Sequence, residues 1–303
     1  MRTINQDILV PSPVDCIKAK VWRQALISLS LLSVLLLMPL HSFSQVRPDL
    51  KDSFSPTELS LSTGALIGVG LLSIWGEAWL GPHGPSMGPP AEGSNDLRFS
   101  RWANTNFNPQ EQWLGGVPDY TGYIVPALGL AYYVGGALIQ PQQGFYGAYP
   151  HEAVAFSQAL SWSMFSTTFL KHLVGRERPY VSRSRTGEID ASGVNMSRSE
   201  QLLSFPSGHS TAIAASSFFI AADISDALVH GPLKNHTPFA RYMLGRFLPY
   251  VSATALSSLV MYSRIKDQRH WLSDTLTGAL IGAGSALLSY HLHFDQYGQV
   301  RQR

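Results

Sequence analysis

The stretch Ser263-Arg-Ile-Lys-Asp-Gln-Arg-His-Trp-Leu-Ser-Asp274 sets Arg264, His270 and Asp274 at intervals that decide how the chain is read. Five residues separate Arg264 from His270, and three separate His270 from Asp274. If His270 opens a helix, Asp274 falls one turn later on the same face. A carboxylate there would hold the Nδ1 proton of the imidazole and leave Nε2 pointing outward as a nucleophile. Arg264 would grip the anion that the histidine attacks. A helical His/Asp pair is also an ordinary surface hydrogen bond, so two further stretches carry the decision.

Upstream, Lys171-His-Leu-Val-Gly-Arg-Glu-Arg-Pro179 puts Lys171 and Arg178 seven positions apart at the end of an apolar segment. Pro179 cannot continue that helix. Two cations there would satisfy its last carbonyls or converge on a phosphate. Between these stretches, Phe205-Pro-Ser-Gly-His-Ser-Thr211 opens an apolar run. Ser207 and Gly208 at a helix start would offer backbone N–H groups and the positive dipole end to an anion. His209 in the same turn would serve as a general acid beside it.

Composition frames these motifs. Of 303 residues, 14% are charged and 45% hydrophobic, which suits buried or membrane-facing helices. A mean hydropathy of +0.03 is low for a chain that crosses a membrane many times. A net charge of +2 without a Lys/Arg-rich block argues against nucleic-acid binding. The only cysteine is Cys16, so there is no disulfide framework and no thiolate metal site.

Lys18, Lys20 and Arg23 precede an apolar run at 25–40, followed by the small residues Ser42 and Ser44. This reads as a secretory signal, while the long polar lead also fits an uncleaved anchor. Apolar segments follow at 60–80, 123–139 and 153–174, and further helices are expected after Thr211, at 246–261 and at 270–292. The stretch 81–119 is rich in Pro, Gly and Asn and reads as an irregular loop. Trp79, Trp102 and Trp113 around it fit core packing or an interfacial belt equally. Ser157, Gln158, Ser161, Ser163, Ser166, Thr167 and Thr168 point to helix-on-helix packing. The polar loop 180–203, with Arg183, Arg185 and Arg198, reads as a rim or lid. His172, His291 and His293 read as helix-end residues. The expected division is 1–44 signal or anchor, 45–119 apolar helix and loop, 120–292 core, and 293–303 polar tail.

Taken together, Lys171-x6-Arg178-Pro179, Pro206-Ser207-Gly208-His209 and Ser263-Arg264-x5-His270-x3-Asp274 resemble the three-part signature of the type-2 phosphatidic acid phosphatase family. Its superfamily also includes bacterial acid phosphatases and vanadium haloperoxidases. The resemblance spans roughly 120–291. It implies an all-α fold, a bundle of about six core helices with the active site at one end. It implies a hydrolase of phosphomonoesters or diphosphates, foremost of lipids such as phosphatidate, a prenyl diphosphate or phosphorylated lipid A. A soluble periplasmic acid phosphatase of broad specificity is the second reading. A vanadium-dependent haloperoxidase and a non-catalytic binding protein come after it.

In the roles so implied, His270 forms a phosphohistidine, Asp274 orients it, and His209 protonates the leaving oxygen. Lys171, Arg178, Ser207, Gly208 and Arg264 bind phosphate, and neither metal nor cofactor is required. The expected partners are a phosphorylated substrate and a membrane surface or bilayer, with no nucleic acid. The expected location is the cell envelope, with the site facing the periplasm. Membrane members of the family carry six spans with the site on the outer face. Here an inserted N-terminal run plus three further crossings would return Lys171 and Arg178 to the inside, so either one or all of those segments fail to cross or the N-terminal run does not insert. An exported domain lying on or partly embedded in the membrane and a full six-span protein both stay open. A bell-shaped pH–rate profile leaning acidic is expected, with His270 neutral and His209 protonated; a profile flat from about pH 4 to 9 would contradict these roles.

Overall fold

The computed structural model describes residues 87–104, 107–108, 113–139, 149–192, 194, 200–295 and 297–298. The N-terminal signal or anchor, the apolar segment at 60–80, Trp79 and Arg198 lie outside them.

The stretch expected to be an irregular loop contains a helix, α1 (Asn95–Ala103). Ser94 caps it by accepting a hydrogen bond from the Leu97 N–H at 3.3 Å, and Asp96 sits in the first turn against the positive dipole end. These local signals outweigh the surrounding Gly and Pro. A 3₁₀ turn, Trp113–Gly116, leads into α2 (Val117–Ile139), which begins six residues earlier than expected. α3 (Tyr149–Val174) follows, and after Arg178 the short α4 (Pro179–Arg185) starts with proline at its first position. The segment expected to be a polar loop therefore opens as a helix. α5 (Gly208–His230) comes next. A π-helical turn, Arg241–Phe247, runs into α6 (Leu248–Lys266), and α7 (Leu272–His293) closes the bundle. The described residues contain no β-strand, so the all-α expectation holds.

α5 is the axis, packed against α2, α3, α6 and α7. Every residue from Ser210 to Ser217 is buried, and most are Ala, Ser or Thr. Such small side chains let neighbouring backbones close in. On α7, Gly278 and Gly282 face α5 so tightly that a Cβ would strike the carbonyl oxygens of Ser207 and Thr211. Thr167 of α3 and Thr211 share a hydroxyl hydrogen bond of 2.9 Å across the helix pair. Ser157, Ser161 and Ser163 instead bond to carbonyls of their own helix. The expectation of hydroxyl-mediated packing is met at Thr167, and these three turn back on α3.

At one end of the bundle, Tyr133, Phe156, Phe219 and Tyr290, from four helices, pack in tilted and edge-to-face pairs with centroids 5.2 to 5.8 Å apart. This aromatic plug leaves the other end, where α5 and α7 begin and α3 and α6 finish, for polar groups. Gly278→Ala should cost about 1–3 kcal/mol in denaturant or thermal unfolding, because α7 must move off Ser207. Gly284→Ala, with open space around its Cβ position, should be neutral or stabilising by up to about 1 kcal/mol.

Candidate active site

Helix ends bring the three motif stretches together. Lys171 lies in the last turn of α3 and Arg264 in the last turn of α6, both favourable places for a cation. Ser207 caps α5, and His209 is its second residue. His270 stands just before α7 and Asp274 in that helix's first turn. The positive dipole ends of α5 and α7 thus face the space that the cations surround.

His270 is 2% exposed. Its Nδ1 lies 2.7 Å from the Ser204 carbonyl oxygen and 3.8 Å from Asp274 Oδ2. A carbonyl only accepts, so Nδ1 carries the proton and Nε2 keeps its lone pair. The direct orienting group is therefore the Ser204 backbone, not the Asp274 carboxylate that the spacing suggested. The reason is local: α7 begins at Leu272, and extended backbone at Trp271 takes His270 off the helical face. Asp274 acts one step back. Its Oδ2 accepts from the Ser204 hydroxyl at 2.5 Å and the Trp271 N–H at 2.9 Å, and its Oδ1 from Arg176 at 2.5 Å. One serine thus meets Asp274 through its side chain and His270 through its carbonyl.

The cations are tied to the same turn. Arg178 donates through Nη1 to the Arg269 carbonyl at 3.0 Å and through Nε to the Glu200 carbonyl at 2.7 Å. The Arg264 carbonyl accepts the N–H groups of Arg269 and His270 at 3.0 and 3.2 Å. Lys171 Nζ reaches the Leu203 carbonyl at 3.4 Å and lies 3.9 Å from where a Cβ on Gly208 would be. Ser207, fully buried, donates its N–H to the Asp274 carbonyl at 3.0 Å. Its Oγ accepts from the Ser210 hydroxyl at 3.0 Å, which leaves it one proton to give. His209 is half-buried with the Tyr123 ring 4.6 Å away, and α2 comes this close because residue 122 is glycine.

Crowding five basic groups has an electrostatic consequence. Burial first, then Arg178, Lys171 and Arg264, hold the His270 imidazole well below its usual range. Burial, then Arg264, His270, Lys171 and Arg178, push His209 down to about 2. Burial, then Arg178 and Arg264, pull Lys171 down to about 7. Burial raises Asp274, opposed by Arg176, the Ser204 hydroxyl and the Trp271 N–H. Among these protein groups alone His209 is neutral, so the protonated His209 expected from the sequence requires a bound anion to restore its charge.

The sequence reading gave no role to Arg176 or Ser204, although Arg176 lies inside the first motif stretch and Ser204 directly precedes the second. Arg183, read as part of a rim or lid, is buried and donates to Gln268 Oε1 at 2.8 Å, and Arg185 pairs with Glu177. Both are structural supports. Trp113 packs on Tyr262 at 4.9 Å, while Trp102 is exposed. Of the histidines set aside, His172 and His293 are buried in the last turns of α3 and α7, and His293 bonds Gln158 at 2.7 Å.

Binding of inorganic phosphate at alkaline pH, where free phosphate is already the dianion, should take up protons as Lys171 regains its charge. Titration calorimetry in buffers of different ionisation enthalpy should show a buffer-dependent heat, and identical heats would contradict the coupling.

A model of the PAP2 superfamily matches residues 152–297, which contain all three motif stretches. A PA-phosphatase related-family protein of Dictyostelium discoideum is 30% identical over 145 residues, 48% of this chain and 49% of that protein. The chain thus spans about half the length of this curated relative. Two solved structures are similar. The first transmembrane PAP2 type phosphatidylglycerolphosphate phosphatase from Bacillus subtilis is 20% identical with a TM-score of 0.43, covering 78% of this chain and 94% of that one. Aquifex aeolicus LpxE is 18% identical with a TM-score of 0.38, covering 65% and 96%. Residues 152–297, which bring the three motif stretches to one end of a helical bundle, are thus similar to the PAP2 superfamily.

Proposed function

We propose that the protein hydrolyses phosphoric esters through a phosphohistidine on His270. The observation that carries this reading is the pairing of a buried imidazole, its Nδ1 proton fixed by Ser204, with three cations around the same space. Nε2 attacks phosphorus while the bond to the ester oxygen breaks, and that oxygen takes a proton from His209. Water, giving its proton to His209, then displaces the histidine and releases phosphate. Lys171, Arg178 and Arg264, with the Ser207 hydroxyl and the Gly208 N–H, stabilise the equatorial oxygens. Those fixed charges do what a metal pair does elsewhere, so the reaction runs without one.

The substrate class we favour is a phosphorylated lipid. Tyr123, against His209, is 63% exposed, and Leu173, just beyond Lys171, is 62% exposed. Farther from the site, Leu280 and Leu288 of α7 and Leu248 and Val251 of α6 also face outward. An apolar rim beside a phosphate site suits a lipid whose headgroup enters while its chains stay on the rim. By this reading the protein is membrane-associated in the cell envelope, with the site on the periplasmic side.

Purified full-length protein should release phosphate from dispersed phosphatidate, a prenyl diphosphate or lipid A faster than from a soluble aryl phosphate, and chelator should not slow it. His270→Ala should lose on the order of 10³-fold or more, and His209→Asn about 10²–10⁴-fold. Equal turnover of the soluble ester would favour the broad-specificity reading, and release that survives His270→Ala would overturn the mechanism.

A further inference from the structure

Asp96, Ser100 and Asn104 recur every fourth residue along α1 and its C-cap, so they share one face. All three bond to the segment 266–273 that carries His270. Asp96 accepts the Ser273 N–H at 2.7 Å and the Ser273 hydroxyl at 2.6 Å. The Ser100 hydroxyl donates to Gln268 Oε1 at 2.7 Å, and the Ser100 carbonyl accepts from Gln268 Nε2 at 3.1 Å. Asn104 Nδ2 donates to the Lys266 carbonyl at 2.6 Å. The segment needs such ties, because Gln268 has a left-handed φ of 54° that a non-glycine residue does not readily keep unaided.

The ties also reach Asp274. Arg176, nearly buried, divides its guanidinium between Asp274 at 2.5 Å and Asp96 at 2.8 Å. A buried cation keeps its geometry only while its partners are in place, so Asp96 helps decide where Arg176 holds Asp274, and through Ser204 where His270 points. α1 precedes the matched residues 152–297, and none of the three motif stretches includes it.

We infer that the Asp96–Ser100–Asn104 stripe is a positioning element that holds the His270 turn in its attacking geometry. The inference rests on the phosphohistidine reading. These residues touch neither the reacting phosphorus nor the three cations, so they govern the chemical step rather than phosphate binding.

Asp96→Asn and Ser100→Ala in the full-length protein test this, with Arg98→Ala on the exposed face of α1 as the control. Each stripe variant should lower kcat by on the order of 10- to 100-fold, with KM and the inhibition constant of inorganic phosphate within about twofold. Amide exchange of 266–273 should speed up while that of 209–217 stays slow. Arg98→Ala should match wild type in all of these. Unchanged kcat, or kcat and phosphate affinity falling together with melting temperature, would reduce the stripe to an ordinary structural contact. A wild-type protein silent toward every ester would tell against the phosphatase reading alone; the exchange measurement then decides the stripe, and unaltered exchange in 266–273 would overturn it.

Discussion

Repulsion among Lys171, Arg178 and Arg264, gathered around the neutral His209 and His270, is the constraint on which the rest of the structure depends. Burial first, and then the neighbouring cations, lower the proton affinity of Lys171, Arg178 and both histidines at this end of the bundle. Such a cluster persists only if the backbone holds it. Arg178 and Lys171 are accordingly tied to carbonyls of the turns beside them, His270 to Ser204, and α5 starts at its Ser207 cap. On the proposed function, a phosphoryl group replaces that repulsion with attraction and strengthens it as charge spreads over the equatorial oxygens. The site is organised for an anion before one arrives.

The bundle supplies the rigidity. Small residues on α5 and glycines on α7 bring the two backbones into contact, and Ser207 donates its N–H to Asp274 across that seam. The turns that carry His209 and His270 therefore share one foundation. At the far end the aromatic plug is closed by polar ties. Tyr133 and Tyr290 donate their hydroxyls to Asp223 and Asp226, and Arg246 pairs with Asp226. At the outer edge α2 brings Tyr123 against His209.

Much of this was legible in the sequence because the motif residues sit at helix ends, and helix ends announce themselves. Gly175, with a left-handed φ of 59°, ends α3, Pro179 begins α4, and the Ser207–Gly208 pair starts α5. The relation of His270 to Asp274 was misread, because His-x3-Asp spacing places both on one face only if both are helical. The true partner of Nδ1 is a backbone carbonyl, and every residue carries one, so no side-chain pattern marks it. α1 was hidden by its Gly/Pro-rich surroundings, and its contact with Ser273 spans 177 residues. Local propensity cannot report a contact that distant, although Ser94 and Asp96 did encode the helix itself.

The central claim is that phosphorus passes through His270. The most direct measurement is an alkaline quench of the enzyme during turnover of a ³²P-labelled ester, followed by peptide mapping. The account predicts a base-stable, acid-labile label on the peptide containing His270, absent from His270→Ala. Label on another residue, or turnover with no labelled protein at any time, would contradict it.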